Sequence, residues 1–491
     1  MIKRERPRKI LRWLKKLIFR LRRSLMKSIE ELAVKLKGDV GRKWEEEIYR
    51  WACELAQSMT KVLLERLDGE LMKEREEGLK VEGLRERWIT TLFGNIKIRR
   101  RLYRDGEGNY RFLLDKAMGL RKRSQASPKV EELAAFLCSY LPFEKSERLI
   151  RALLPDGISH TTIHRLVGRA VAPYLEEEER EIEEVFECGV IPESEGKVVP
   201  HLMVEADGTS IALQREEERR TEVKVGIAYE GWDEMGKDRY KLREKIRYTG
   251  VMGGKRFWEG LSLMLAKKYD LSRVGKVIVG GDGASWARAG ADFLGGIFQL
   301  DRFHLLRALY RGLAPDGALV GRIYGACISG DIDIADSLLR EAQGKSRGKE
   351  AVKIAQLRGY LLDNHLGLGD YRLVVEGEGL RGLGAIEGNV DKLIASRMKK
   401  RGMSWTKCGA DRMARLINLR ERGELCSWIN YRPGKPKGIS LSEDKAHVRQ
   451  PLSKESGAWL EANLPALYGP HANRPWARAL RAITHQIGGM S

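Results

Sequence analysis

Residues 201–214 read HLMVEADGTSIALQ and residues 275–286 read GKVIVGGDGASW. Each is an apolar run of strand length that delivers an aspartate beside glycine, Asp207 in the first and Asp282 in the second. Runs of this kind, rich in Val and Ile and bounded by Gly, predict buried strands. The first strand is expected over Val198–Ala206, with Thr209–Gln214 continuing it or pairing with it. Glu205 and Asp207 are two residues apart and so share a strand face, and Asp207, at the carboxyl end beside Gly208, is the better placed of the two for a ligand. Gly280, Gly281 and Gly283 allow the backbone to come close to one, although an ordinary strand-to-helix turn explains them equally well.

Working outward, TEVKVGIAYEGW (221–232) and KIRYTGVMG (245–253) predict two more strands. RFWEGLSLMLAKKYDL (256–271) predicts an amphipathic helix, and GGIFQLDRFHLLRAL (295–309) a further strand and helix. Three strands, a helix, then a strand bearing the second acid is the order of an RNase H-like sheet. In that order the first and fourth strands are neighbours and their acidic ends meet. A third carboxylate, Glu387, opens the helical segment AIEGNVDKLIASRMKKRGMSW (385–405). Asp391 lies one turn further on the same face and is its rival. Two strand aspartates and a helical glutamate can hold two Mg2+ or Mn2+ ions roughly 3.5–4 Å apart for in-line attack on a phosphodiester. The 104 residues between Asp282 and Glu387 exceed what a minimal core needs. The core is therefore expected in two parts, 191–304 and 381–430, around an all-helical insertion over 305–380. A tail, 431–491, follows.

The composition suits a polyanionic partner. The chain has 491 residues, 42% hydrophobic and 32% charged, with a formal net charge of +21. Such an excess favours phosphate backbones through counterion release, so double-stranded DNA is the expected partner and the nucleoid of the cytoplasm the expected location. No run approaches the roughly 20 apolar residues that span a bilayer. The cysteines are scattered without a CxxC pair, which argues against a zinc ribbon or a disulfide scaffold. Twelve Lys or Arg against one acid in residues 1–28 make the segment 1–39 a basic amphipathic arm, read as lying on DNA rather than on a membrane.

The remaining N-terminal half predicts a mostly helical DNA-binding region with a β-hairpin. Residues 40–80 carry an apolar stripe from Trp44 to Leu71 at helical spacing. Within 40–128, residues 88–115 predict two strands around the turn Asp105–Gly108, with Arg99, Arg100 and Arg101 along them. Residues 129–190 hold KSERLIRALLPDGISHTTIHRLVGRAV (145–171), a helix-turn-helix pattern. Its second helix, capped by Ser159, would present Thr161 and Arg165 to a major groove. The acidic stretch YLEEEEREIEEVFE (174–187) reads as a spacer, with a boundary near 190. After Glu387, a basic track of Arg397, Lys399, Lys400, Arg401, Lys407, Arg412 and Arg415 is placed to grip DNA beside the scissile phosphate.

Together, residues 91–115, 204–214, 223–232, 257–271, 280–286, 298–309 and 385–405 resemble the ISLre-type bacterial insertion-sequence transposases, relatives of the Mutator-like group. The resemblance covers roughly residues 85–425. It implies an RNase H-like domain with a helical insertion, Asp207, Asp282 and Glu387 as the DDE triad, recognition of terminal inverted repeats, and strand transfer into target DNA by a multimer. Asp301 and His304 match the Cys/Asp-x-x-His motif of Mutator-like relatives, although Asp301 could equally cap the following helix. An RNase H-like nuclease or resolvase that does not join ends would need the same acids. A non-catalytic DNA-binding descendant of a transposase is the alternative from another class.

Overall fold

The computed structural model describes residues 44–430 apart from 238, 314, 315 and 401. The basic arm, Arg401 and the tail 431–491 lie outside the described residues. The chain forms two compact units. Of the described residues, one comprises those up to Leu133 together with Glu144–Thr162, and the other Ala134–Phe143 and those from Ile163 onward.

In the first unit, α1 (Trp44–Lys73) starts with Glu45, Glu46 and Glu47 and ends on Lys73, charges that complement the helix dipole. It stops short of 80, where β1 (Lys80–Thr91) begins and pairs with β2 (Gly94–Arg104). Leu64, Leu67 and Leu71 pack on Ile89, Ile96 and Ile98, while Trp44, Ile48, Val62 and Leu63 of the expected stripe are exposed. The hairpin turns at Leu92–Phe93, not at Asp105–Gly108. Thr91 pairs with Gly94, whose φ of 109° favours glycine, and Thr91 Oγ1 accepts the Phe93 amide. The turn at Asp105 leads only to the two-residue β3 (Tyr110–Arg111), followed by α2 (Leu113–Ala117).

Three helices continue the chain: α3 (Pro128–Tyr140), α4 (Phe143–Leu153) and α5 (His160–Phe186). Ser159 Oγ accepts the Thr162 amide at the start of α5. The acidic second half of α5 is not a spacer. Ile182 and Phe186 pack on Leu263, and Glu178 is buried, so no boundary falls near 190.

The second unit is built on β4 (His201–Leu213), β5 (Arg220–Tyr229), a hairpin of β6 (Trp232–Gly236) and β7 (Arg239–Leu242), then β8 (Ile246–Gly250). Next come α6 (Gly254–Lys268), β9 (Lys276–Gly281), α7 (Ser285–Leu294) and β10 (Ile297–Leu300). The main sheet runs β10–β9–β4–β5–β8. β9 is parallel to β4 and to β10, while β5 is antiparallel to both its neighbours. Phe257, Trp258, Leu261 and Leu265 of α6 bury one face against Val204, Ala206, Ala228, Tyr248 and Val279.

From 302 the chain is helical: α8 (Arg302–Leu313), α9 (Gly317–Ser329), α10 (Ile332–Lys345) and α11 (Lys349–Asp363). These helices share a core of leucines and isoleucines, among them Leu309, Ile323, Leu339 and Leu357. The chain returns through α12 (Ala385–Asn389), a π-helical stretch over Val390–Lys399, β11 (Ser404–Trp405) beside the far end of β4, α13 (Lys407–Glu421) and α14 (Leu425–Asn430). Thr406 caps α13 by accepting the Gly409 amide at 3.1 Å.

Candidate functional site

Asp207 is not strand-terminal. β4 runs through it to Leu213, and Asp207 stays paired with Val225 of β5. What ends there is the parallel ladder to β9, whose last pair is Ala206 with Gly281. Asp282 follows that pair, so the two aspartates leave neighbouring parallel strands at the same level. One strand further out, the Asp301 amide donates to Gly281 O at 2.8 Å, bringing a third aspartate to the same edge. Gly280 and Gly281 are closely packed. A Cβ on Gly280 would stand 2.9 Å from Leu383, and one on Gly281 3.0 Å from the Cβ of Ala287.

Negative charge is left in excess here. Burial, and then the neighbouring Asp282 and Asp301, push the Asp207 carboxyl up to about 6, against the Gly208 amide and His304 that pull it down. Asp301 does cap α8, its Oδ1 accepting the Phe303 and His304 amides at 2.9 and 3.0 Å. It also meets the His304 ring at Nδ1, 3.2 Å away. That hydrogen bond, with the fields of Asp301, Asp207 and Asp282, raises the imidazole pKa against burial. His304 in its charged form therefore offsets part of the carboxylate charge.

Glu387 arrives differently. Glu205, buried on the same face of β4 as Asp207, receives the Tyr229 hydroxyl and the amides of Gly384, Ala385 and Ile386. These are the first amides of α12, so a carboxylate inside the sheet holds the start of the helix that carries Glu387. The position of Gly384, which has φ of 130°, puts its would-be Cβ 3.5 Å from Asp301 Oδ2. Glu387 itself is exposed, with no hydrogen-bond or ion-pair partner among the described residues. Asp391, its rival, is tied to Lys400 at 2.7 Å. The expected three-acid cluster is thus not formed as a ready site: Asp207 lies in the field of Asp282, and Glu387 makes no hydrogen bond or ion pair there among the described residues. Among the described residues no three His, Cys, Asp or Glu side chains form a ready metal site. The role of Glu205 was not read from sequence; its signal was a lone acid on the apolar, inward part of a strand.

The basic residues divide sharply. Arg100 is buried, its Nε 2.7 Å from Asp115 and its guanidinium 3.6 Å over the Phe112 ring. Arg101 pairs with buried Asp68 at 2.6 Å. Arg397 is buried too, donating to Cys138 O at 2.7 Å beside the rings of Phe143 and Trp405. Arg415 is enclosed with Glu178. These four are engaged in contacts within the fold, Arg101 keeping part of its side chain exposed. Arg99 is exposed, 3.9 Å from Glu65. Thr161 and Arg165 are exposed on α5. Lys400 is held by Asp391, and Lys399 is exposed with its Nζ 3.4 Å from Thr209 Oγ1, two residues beyond Asp207. No helix among the described residues is long and apolar enough to cross a membrane.

Residues 41–432 match the profile of UPF0236, described as an uncharacterised protein family. The chain belongs to UPF0236. Its UPF0236 relatives include a Streptococcus gallolyticus protein named for the vanSb 3′ region, 29% identical over 80% of this chain and 85% of its own length. Two proteins of Caldanaerobacter subterraneus subsp. tengcongensis are each 26% identical over 81% of this chain, covering 81% and 76% of their own lengths. Another UPF0236 protein of the same strain, 25% identical, bears a name that strings together eleven locus designations.

Proposed function

We propose that this chain is a DDE transposase of the ISLre type, cutting DNA strands at the ends of an insertion sequence and joining them to a target. One observation carries the reading: Asp207 and Asp282 emerge side by side from parallel neighbours β4 and β9, and α12, bearing Glu387, is fastened to β4 two residues away. The order β8–β5–β4–β9–β10, with β5 alone running against the rest, supports an RNase H-like core. The helices between Asp301 and α12 correspond to an insertion in that core. A single relative's name spanning eleven loci is what a sequence present in many genomic copies gives, which suits a mobile element.

The donor set fits a hard divalent cation. Asp207 is held up to about 6 by burial and by uncompensated carboxylates, a strain that bound positive charge relieves. Asp207 and Asp282 would hold Mg2+ or Mn2+, with Glu387 completing the set once its exposed side chain turns in; the ion when bound supplies activation of the attacking oxygen and stabilisation of the leaving one. The chain's own residues do the rest. Asp301 orients the His304 imidazole beside the aspartates, Glu205 sets the start of the glutamate helix, and Lys399 brings a cation to the Asp207 face of β4.

The test is a joining assay with a 3′-hydroxyl end taken from the sequence flanking the coding region and a supercoiled target plasmid. Wild type should join the end in Mg2+ or Mn2+, and Asp207→Asn and Asp282→Asn should not. Cleavage with no joining would mark a nuclease or resolvase. Binding with neither would mark a non-catalytic DNA-binding protein.

A further inference from the structure

A cavity of about 740 Å³ opens in the second unit between the β6–β7 hairpin, the start of β8 and the helix that carries Glu387. Its wall is basic and aromatic: Lys241, Lys245, Arg381 and Lys392 line it with Tyr240 and Trp232. None of these four cations reaches a carboxylate within ion-pair distance among the described residues. The lining acid, Glu421, is already shared by Arg420 at 2.6 Å and Arg247 at 3.4 Å. Lys245 is half-buried, and burial together with Arg247, Lys392 and Lys241 lowers its ammonium pKa to about 8. A half-buried ammonium among like charges, with no anion of its own, is a place for an anion from outside.

The aromatic groups extend that chemistry beyond a bare phosphate. Tyr240 is 38% exposed, with the Arg381 guanidinium 3.5 Å over its ring. A partly exposed tyrosine on the cavity wall, with a guanidinium over its ring, has the chemistry of a stacking platform for a planar ring. The volume suits one nucleotide rather than a duplex. Position fixes the source: Lys245 Nζ donates to Asn389 Oδ1 at 3.1 Å, and Ala385, Gly388 and Lys392 of the wall flank Glu387 on both sides. We propose that this cavity takes a single nucleotide of an unpaired DNA strand, its phosphate between Lys245 and Lys392 and its base stacked on Tyr240.

The inference rests on the strand-processing reading above and adds a subsite to it. Its test uses the full chain and a 12-nucleotide single strand carrying 2-aminopurine, whose fluorescence is quenched when the base stacks, with no divalent cation present. Wild type should quench the single strand strongly. Tyr240→Ala should weaken the apparent affinity about tenfold or more. Lys245→Ala with Lys392→Ala should weaken it similarly and lower the salt slope by about 0.7, the value for one neutralised phosphate of a single strand. Quenching by both variants at the wild-type affinity would overturn the assignment. So would equal quenching of the same base within a duplex, or equally tight binding of the free 2-aminopurine nucleotide, which would make this a small-molecule site. Pocket-dependent quenching by a wild-type protein that never cleaves or joins would instead sink only the transposase reading.

Discussion

Two groups of charges in the second unit meet opposite fates. In one, Arg415 and Glu178 face each other at 2.7 Å in the interior, with the Tyr174 and Tyr248 hydroxyls on the same carboxylate at 2.5 and 3.2 Å and Tyr248 beneath the guanidinium. Every charge there is answered by a neighbour. In the other, Asp207, Asp282 and Asp301 gather at the sheet edge with His304 as partial compensation, and burial raises Asp207 to about 6. A fold that neutralises one buried charge completely and leaves another in deficit separates structure from function. The paired group joins α5 to α13 and β8, and the unpaired one is where we propose that a cation binds.

Substitutions can break this contrast. Asp207→Asn or Asp282→Asn should reduce strand joining at least a thousandfold, about 4 kcal/mol of barrier, while circular dichroism shows an intact fold. A folded variant joining ends at the native rate would put the acids on the structural side. Arg415→Ala should do the reverse, costing about 3–5 kcal/mol in urea unfolding by stranding Glu178 in the interior. Glu205→Gln tests the intermediate case. Losing a charged acceptor for three backbone amides should cost about 1.5–3 kcal/mol and lower joining as α12 loosens, whereas a change in stability without one in joining would detach Glu205 from the site.

The pH dependence of stability is the most discriminating effect. The folded state holds a proton on Asp207 up to about 6, against a usual value of 3.8, so it binds that proton more tightly than the unfolded chain does. Stability from this group is full below pH 3.8, falls as pH rises to about 6, and is level above. After allowance for solvent screening, Asp207→Asn should therefore stabilise the metal-free protein by on the order of 2 kcal/mol at pH 7.5 and by nothing at pH 3.5. Mg2+ should raise the Tm of wild type at pH 7.5 and leave that of the variant unchanged. Cleavage should rise between pH 5 and 7 as Asp207 ionises. An Asp207→Asn variant less stable than wild type at pH 7.5 would show that the carboxylate is already satisfied.

What could be read from the chain alone follows the range of the forces involved. The apolar runs before Asp207 and Asp282 form β4 and β9 because burial on both faces leaves a local, continuous signature. The hairpin turn was missed because Leu92 and Phe93 carry none of the usual turn residues, and the one informative residue, Gly94, comes after them. Arg100 and Arg397 looked like parts of basic tracks because their partners, Asp115 and the carbonyl of Cys138, lie 15 and 259 residues away. Charge density along a sequence counts cations but not the acids that fold onto them. The change from α to π winding after Asn389 was equally invisible, and it shifts the faces on which a helical count from Glu387 to Asp391 depended.

The grip of Glu205 on the first amides of α12 uncouples two separations. Along the chain, Glu387 is remote from Asp282; in space, the start of its helix is fixed from within the sheet, whatever the route taken to reach it. The intervening helices keep their own leucine-rich interior and depart from the same edge to which the chain returns. A glutamate helix fastened in this way from β4 predicts that divergence among relatives accumulates in the intervening helices before it touches β4.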